Sequence, residues 1–275
     1  MESKYGQFTA HIILILGIFL MILPIWIIFA SSTHDNLTLA TKGLQLGLGD
    51  NLFNNYNNVI FTKGGFSKEI TLLKLFSNSF IMALGIATLT VITSLFAAYT
   101  IVYFKVKLAT TYFWLIFLTI LVPLEVRILP SYHTVSELNL INSYAGLILP
   151  LVASAIGTFF FSQFYQTIPE ELLEAAKLDG VNSWQFLIDF IIPLSRTMIL
   201  AIFIFMFVYG YNQYLWPIIA TTNENYWTVI MGMKIVFMRS LVTSFSYIIL
   251  SIIPPILVII LLQRWFVKGL IHTEK

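Results

Sequence analysis

LFSNSFIMALGIATLTVITSLFAAYTIVYF, residues 75–104, contains no Asp, Glu, Lys, Arg or His. A helix needs roughly 20 mostly apolar residues to cross the hydrocarbon layer of a bilayer. This stretch exceeds that length and reads as a membrane span. Five more uncharged runs long enough for a span lie at 12–33, 108–124, 138–169, 197–223 and 240–263. The run at 138–169 opens with the polar stretch Asn139-Leu140-Ile141-Asn142-Ser143 before its apolar core. A transmembrane barrel would instead show alternating segments of about 10 residues. The sequence therefore predicts an all-α integral membrane protein with six transmembrane helices.

Composition leads to the same class and excludes others. Of 275 residues, 58% are hydrophobic and 10% charged, against roughly 25% charged in ordinary soluble domains. Such a chain cannot cover a water-facing surface with charge, so soluble-enzyme and nucleic-acid-binding readings fall. The net charge of +2 points to no polyanionic partner. Without cysteine there is no disulfide framework, thiol catalysis or cysteine-ligated metal. His11, His34, His133 and His272 lie far apart, with no metal-ligand spacing. No G-x4-G-K-[ST] loop occurs, so the chain has no phosphate-cradling loop for ATP. An ion-coupled carrier would place carboxylates at the membrane midplane, and an intramembrane enzyme would need a convergent acid–base or metal set. Neither pattern is visible. The reading is a non-catalytic membrane subunit.

The first apolar run follows Lys4 and ends Phe29-Ala30-Ser31-Ser32. It is longer than a signal-peptide core of about 7–15 residues, so it reads as an uncleaved helix. An even number of spans puts both termini on one side. Three regions result: an amino-terminal helix with its Asn-rich extracytoplasmic loop (1–69), a transmembrane core (70–265) and a short tail (266–275). The positive-charge balance decides little. Lys4, Lys105, Lys107, Lys177, Arg196, Arg264, Lys268 and Lys275 fall on the terminal side, and Lys42, Lys63, Lys68, Lys74, Arg127, Lys234 and Arg239 on the other.

Charge concentrates between the fourth and fifth runs, in TIPEELLEAAKLDGVNSWQFLIDFIIPLSRT at 167–197. Thr167 with Glu170 three residues on has a capping-box pattern, and Pro169 suits a first turn. Leu172, Leu173 and Ala176 share one helical face, while Glu170, Glu174 and Lys177 occupy others. Gly180 supplies a left-handed helix stop. Asn182 or Ser183 can cap a second short helix, which Pro193 ends. The segment reads as an amphipathic helix–turn–helix outside the membrane.

Glu174-Ala175-Ala176, three residues, Gly180, nine residues and Phe190-Ile191-Ile192-Pro193 resemble the EAA loop of ABC-importer permeases, whose usual form is E-A-A-x3-G-x9-I-x-L-P. Phe190 and Ile192 stand where Ile and Leu are usual. LVPLEVRILP at 121–130, SYAGLILP at 143–150, YGYNQYLWP at 209–217 and QRWFVKGL at 263–270 extend the resemblance over nearly the whole chain, to the binding-protein-dependent carbohydrate-importer group. Within it the pattern is most similar to the second permease subunit of sn-glycerol-3-phosphate importers.

That resemblance implies a type I ABC importer permease fold, with Glu174, Ala175, Ala176, Gly180 and Pro193 in the helix that couples to the ATPase. It implies a bacterial inner-membrane location with both termini cytoplasmic. The implied partners are a second permease subunit, two cytoplasmic ATPase subunits that bind the ATP and magnesium, and an extracytoplasmic solute-binding protein. The implied solute is sn-glycerol 3-phosphate or a related glycerophospho compound, with a neutral sugar or oligosaccharide as the alternative.

Two groups are candidates for the solute path. Arg127 lies at the edge of the third run, where an ionisable group suggests function and the guanidinium fork suits phosphate. The alternative is an interfacial charge paired with Glu125 or Glu137. Asn212, Gln213, Tyr214 and Trp216 bring amides and aromatics into the fifth run, either for hydroxyl-bearing solutes or for interhelical bonding and an interfacial belt. Pro24, Pro123, Pro150, Pro217, Pro254 and Pro255 lie in or near the runs and can kink helices.

Overall fold

The structure, a computed structural model, describes residues 4–61, 70–104, 107–237 and 240–273. Lys63, Lys68, Glu69, Lys105, Arg239 and Lys275, which entered the loop and charge readings, lie outside them. Among the described residues the secondary structure is helical, with no strand. Its α-helices are α1 (Lys4–Ser32), α2 (Asn36–Lys42), α3 (Leu52–Phe61), α4 (Leu72–Tyr103), α5 (Ala109–Leu118), α6 (Leu124–Glu137), α7 (Tyr144–Val152) and α8 (Ala155–Gln166). They continue as α9 (Glu170–Leu178), α10 (Ser183–Gln185), α11 (Ile192–Leu194), α12 (Arg196–Tyr211), α13 (Leu215–Ala220), α14 (Val229–Phe237) and α15 (Leu241–Thr273).

Three of the six runs form continuous helices long and apolar enough to cross a membrane, at Gln7–Ser32, Leu72–Tyr103 and Leu241–Gln263. The run at 138–169 forms two helices, Tyr144–Val152 and Ala155–Gln166, bent by 45° at the break between them. The fifth run begins in α12, which pairs with the preceding Ser183–Leu194 across a 73° bend. The run at 108–124 departs most from expectation. Its apolar helix is only the 10 residues of α5, followed by a 3₁₀ turn at Thr119–Leu121. Pro123 explains the stop, because the residue before a proline is pushed out of helical geometry. Val122 accordingly has ψ 109°. At the other end of the chain, α15 runs on to Thr273, so residues 266–273 continue a helix.

The chain divides into two compact units, Met1–Phe76 with Val229–Pro254, and Ser77–Thr228 with Pro255–Lys275. In the first, the part of the Asn-rich loop that is described is folded. Asn55 Nδ2 donates to the Ser32 and His34 carbonyls, each at 2.8 Å, and Thr33 Oγ1 accepts from Gly49 N–H at 2.6 Å. In the same unit the Tyr247 hydroxyl donates to the Val229 carbonyl at 2.6 Å, joining α15 to α14.

In the second unit the part of α4 from Ser77 on supplies packing partners for the helices that follow. Backbones approach closely at Gly210 of α12, where a Cβ would lie 3.1 Å from Ala83 Cα, as small residues allow in membrane helix packing. The break between α7 and α8 interrupts the helical bonding, and α4 supplies side-chain donors there. Thr90 Oγ1 donates to the Val152 carbonyl at 3.0 Å, and Ser94 Oγ adds a 3.4 Å bond to the Ser154 carbonyl, which also takes the first backbone bond of α8 from Thr158. In lipid an unsatisfied backbone group costs several kcal/mol, so a break persists only where neighbours re-satisfy it.

Candidate functional site

The charged segment begins where α8 ends. Thr167 does not cap α9: its hydroxyl donates backwards to the Phe164 carbonyl at 2.7 Å. Pro169 takes the N-cap position, with no side-chain cap. The expected capping box is therefore absent, because α9 begins at Glu170 with Pro169, not Thr167, in the N-cap position. Glu170 and Glu171 instead place negative charge in the first turn, where the helix dipole favours it.

α9 is amphipathic as read. Ala176 is buried and Leu172 and Leu173 are half-buried, whereas Glu171, Glu174, Ala175 and Leu178 are exposed on one face. Leu178 is 88% exposed. The helix closes on a Schellman motif: Val181 N–H donates to the Ala176 carbonyl at 2.9 Å and Gly180 N–H to Lys177 at 3.1 Å. Gly180 has φ +74°, a conformation that is cheap only without a Cβ.

The second helix starts as one of the two caps expected. Asn182 Oδ1 accepts from Gln185 N–H at 2.9 Å, and its own N–H donates to Gln185 Oε1 at 3.2 Å. The remainder was not legible. Phe186–Ile191 is a π turn, with Ile192 N–H reaching back five residues to Leu187. Pro193 does not end the helix but sits inside its last turn, α11. The wide turn before it relieves the contact between its ring and a carbonyl one turn back. The stop falls at buried Ser195, whose hydroxyl donates to the Ile191 carbonyl at 2.6 Å.

An aromatic ridge at the end of α4 holds this helix–turn–helix. Phe96 stacks on Trp184 at 6.0 Å, and Tyr103 meets Phe186 edge-on at 5.5 Å. The Tyr99 hydroxyl donates to the Ser183 carbonyl at 2.7 Å. No spacing rule in the sequence pairs Phe96, Tyr99 and Tyr103 with residues some 80 positions away, so this seat was missed.

Arg127 lines a cavity of about 260 Å³ with Thr119, Leu151, Ala153, Ser154, Ala155, Ile156, Phe205, Met206 and Tyr209. Both alternative ion pairs fall away. Glu125 and Arg127 lie on one continuous helix, where residues i and i+2 diverge. Glu137 sits 3.5 Å from His133, and among the described residues no carboxylate pairs with Arg127.

The Asn212–Trp216 cluster lies apart from this cavity lining. Trp216 is fully buried, and its indole N–H donates to the Gly146 carbonyl at 3.1 Å. Pro150, four residues after Gly146, has no N–H for that carbonyl, so the indole replaces a missing helix donor. Gln213 is buried and donates to the Tyr209 carbonyl at 3.3 Å. Asn212 and Tyr214 are exposed. The cavity residues that sequence reasoning missed are Thr119, Ser154 and Tyr209. Ser154 carried a usable signal: a Ser three residues before Gly157 inside an apolar run is a helix start, and its side chain does accept from Gly157 N–H.

Comparison with known proteins adds identity to this geometry. Residues 90–272 match the family model described as binding-protein-dependent transport system inner membrane component. The chain is 44% identical to the sn-glycerol-3-phosphate transport system permease protein UgpE of Brucella melitensis biotype 1, over 100% of this chain and 99% of that protein. It is 43% identical to the UgpE protein of Agrobacterium fabrum, over 98% of each. To that of Yersinia enterocolitica it is 40% identical, over 100% of this chain and 99% of the relative. Among solved structures, a bacterial ABC transporter involved in the import of the acidic polysaccharide alginate superposes with a TM-score of 0.80. It covers 97% of this chain and 99% of its own at 20% identity, a likeness of fold alone.

Proposed function

We propose, from the premise that this chain belongs to the binding-protein-dependent transport system inner membrane component family, that it is one permease subunit of an ATP-driven importer of sn-glycerol 3-phosphate. The chain is a multi-pass inner-membrane transport protein of type I ABC permease fold. Full-length identity of 40% to 44% to glycerol-3-phosphate permeases from several organisms is the observation that carries the solute.

On this reading a second permease chain completes the pathway and an extracytoplasmic binding protein delivers the solute. Two cytoplasmic ATPase subunits bind ATP and magnesium. α9 is the coupling helix, with Glu174, Ala175, Ala176 and Gly180 shaping the part that docks and Pro193 closing the segment behind it. The exposed face of Glu171, Glu174, Ala175 and Leu178 supports this role, because an apolar Leu at the tip of an acidic face suits a cleft. Movement at α9 would pass along α10 and the π turn to the 73° bend at Ser195, and so into α12. A cytoplasmic coupling helix places both termini in the cytoplasm.

The test is uptake of labelled glycerol 3-phosphate by cells carrying the whole system, competed by maltose, glycerol and glycerophosphodiesters. The proposal expects competition by unlabelled phosphorylated polyols alone. Efficient competition by a neutral disaccharide would assign the chain to a sugar importer instead.

A further inference from the structure

Resting on the reading above, we infer that the Arg127 cavity is a phosphate-ester subsite contributed by this subunit. Arg127 takes the anionic head, and the Tyr209 hydroxyl takes an oxygen of the polyol. Four observations converge. The cavity volume of about 260 Å³ leaves room for a three-carbon phosphate ester. The second is electrostatic: the lining contains a cation and no carboxylate. Among the described residues Arg127 has no ion pair, so its charge is open to an anion rather than neutralised from within the chain. Arg127 is exposed and so accessible to a ligand, and a guanidinium complements phosphate in a bidentate fork.

The third observation is the set of hydroxyl-bearing residues in the same lining, Thr119, Ser154 and Tyr209. Tyr209 OH makes no hydrogen bond among the described residues. Ser154 Oγ points at the Met206 sulfur at 3.9 Å, a weak acceptor that a ligand oxygen would replace to advantage. Thr119 keeps acceptor capacity while donating to the Ile116 carbonyl at 2.6 Å. The fourth is the wall: buried Leu151 and Met206 back the cavity with apolar surface. A phospholipid headgroup shares this phosphate chemistry, so the experiment separates the two sources.

The chain has no cysteine, so a single Ala155→Cys reports on the cavity cleanly. The assembled importer, with cysteine-free partners, is placed in phosphatidylcholine nanodiscs, and alkylation by a small neutral maleimide is timed. Millimolar glycerol 3-phosphate is expected to slow alkylation at least fivefold, and glycerol and maltose to leave it unchanged. Arg127→Gln should raise the glycerol 3-phosphate concentration that gives half protection about 10- to 100-fold, as loss of a charged hydrogen bond implies. Arg127→Lys should fall between, and Tyr209→Phe should cost a few-fold.

Absence of protection in an importer that does transport glycerol 3-phosphate overturns the subsite and leaves the function standing. So does equal protection after Arg127→Gln. Protection produced by phosphatidylglycerol nanodiscs without solute assigns the cavity to lipid and overturns it too. If the wild-type importer transports a neutral sugar and not glycerol 3-phosphate, the functional reading falls, and the subsite with it.

Discussion

Gly180 holds its left-handed backbone in open space: a Cβ there would meet nothing within 4 Å. The cost of a substitution is therefore purely conformational, roughly 1–2 kcal/mol for a non-glycine residue. Gly180→Val should leave the chain inserted and assembled, while solute-stimulated ATP hydrolysis falls as α9 loses its closing turn. Unchanged stimulation by the loaded binding protein would remove Gly180 from the coupling pathway. Trp216 offers a second test at this scale, because its indole serves the carbonyl that Pro150 cannot reach. Trp216→Phe should lower stability by roughly 1–3 kcal/mol, as a buried carbonyl loses its donor. In a Pro150→Ala background the same change should cost clearly less, since the new N–H can serve Gly146. Thermal melting of all four proteins in detergent measures the difference. Equal costs in both backgrounds would show that the indole bond is incidental.

At the scale of elements, α9 presents one outward face whose only large apolar side chain is Leu178. Leu178→Asp removes no internal contact of consequence, so melting should shift little. Co-purification of the ATPase subunits should drop at least tenfold if that leucine fills a cleft. Retention of stoichiometric ATPase would place the docking surface elsewhere. α9 was legible because its signals are local: alternation of Leu172, Leu173 and Ala176 against Glu and Lys, then Gly180 at the stop. What followed was not. A π turn has no residue signature, and Pro193 suggested an end where the wider turn absorbs it. The expected Thr167 cap failed because α9 starts at Glu170 with Pro169 as its N-cap, and the pattern does not fix that boundary. The short α5 was in principle readable from Val122-Pro123, yet an unbroken apolar run conceals a break that costs no charge. Arg127 was read as a charge of two possible roles, and only the assembled α6, α8 and α12 show which neighbours it lacks.

For the whole molecule, six uncharged runs gave the fold class because hydropathy is a property summed over many residues. The cavity depends on pairs far apart in the chain and was not legible. Topology remains open to direct measurement. Single cysteines at Leu178 and at Asn54 of this cysteine-free chain, labelled in intact spheroplasts by a membrane-impermeant maleimide, should react only at Asn54. Labelling at Leu178 from outside would invert the orientation.

The central claim is that this chain conducts the solute and a separate ATPase drives it. Its most direct test is uptake of labelled glycerol 3-phosphate into proteoliposomes containing both permease chains, the ATPase subunits and the binding protein. Uptake is predicted to require magnesium-ATP on the ATPase side, to stop when the ATPase or this chain is omitted, and to ignore proton or sodium gradients. Gradient-driven uptake by the permease chains alone, without ATP, would contradict the account.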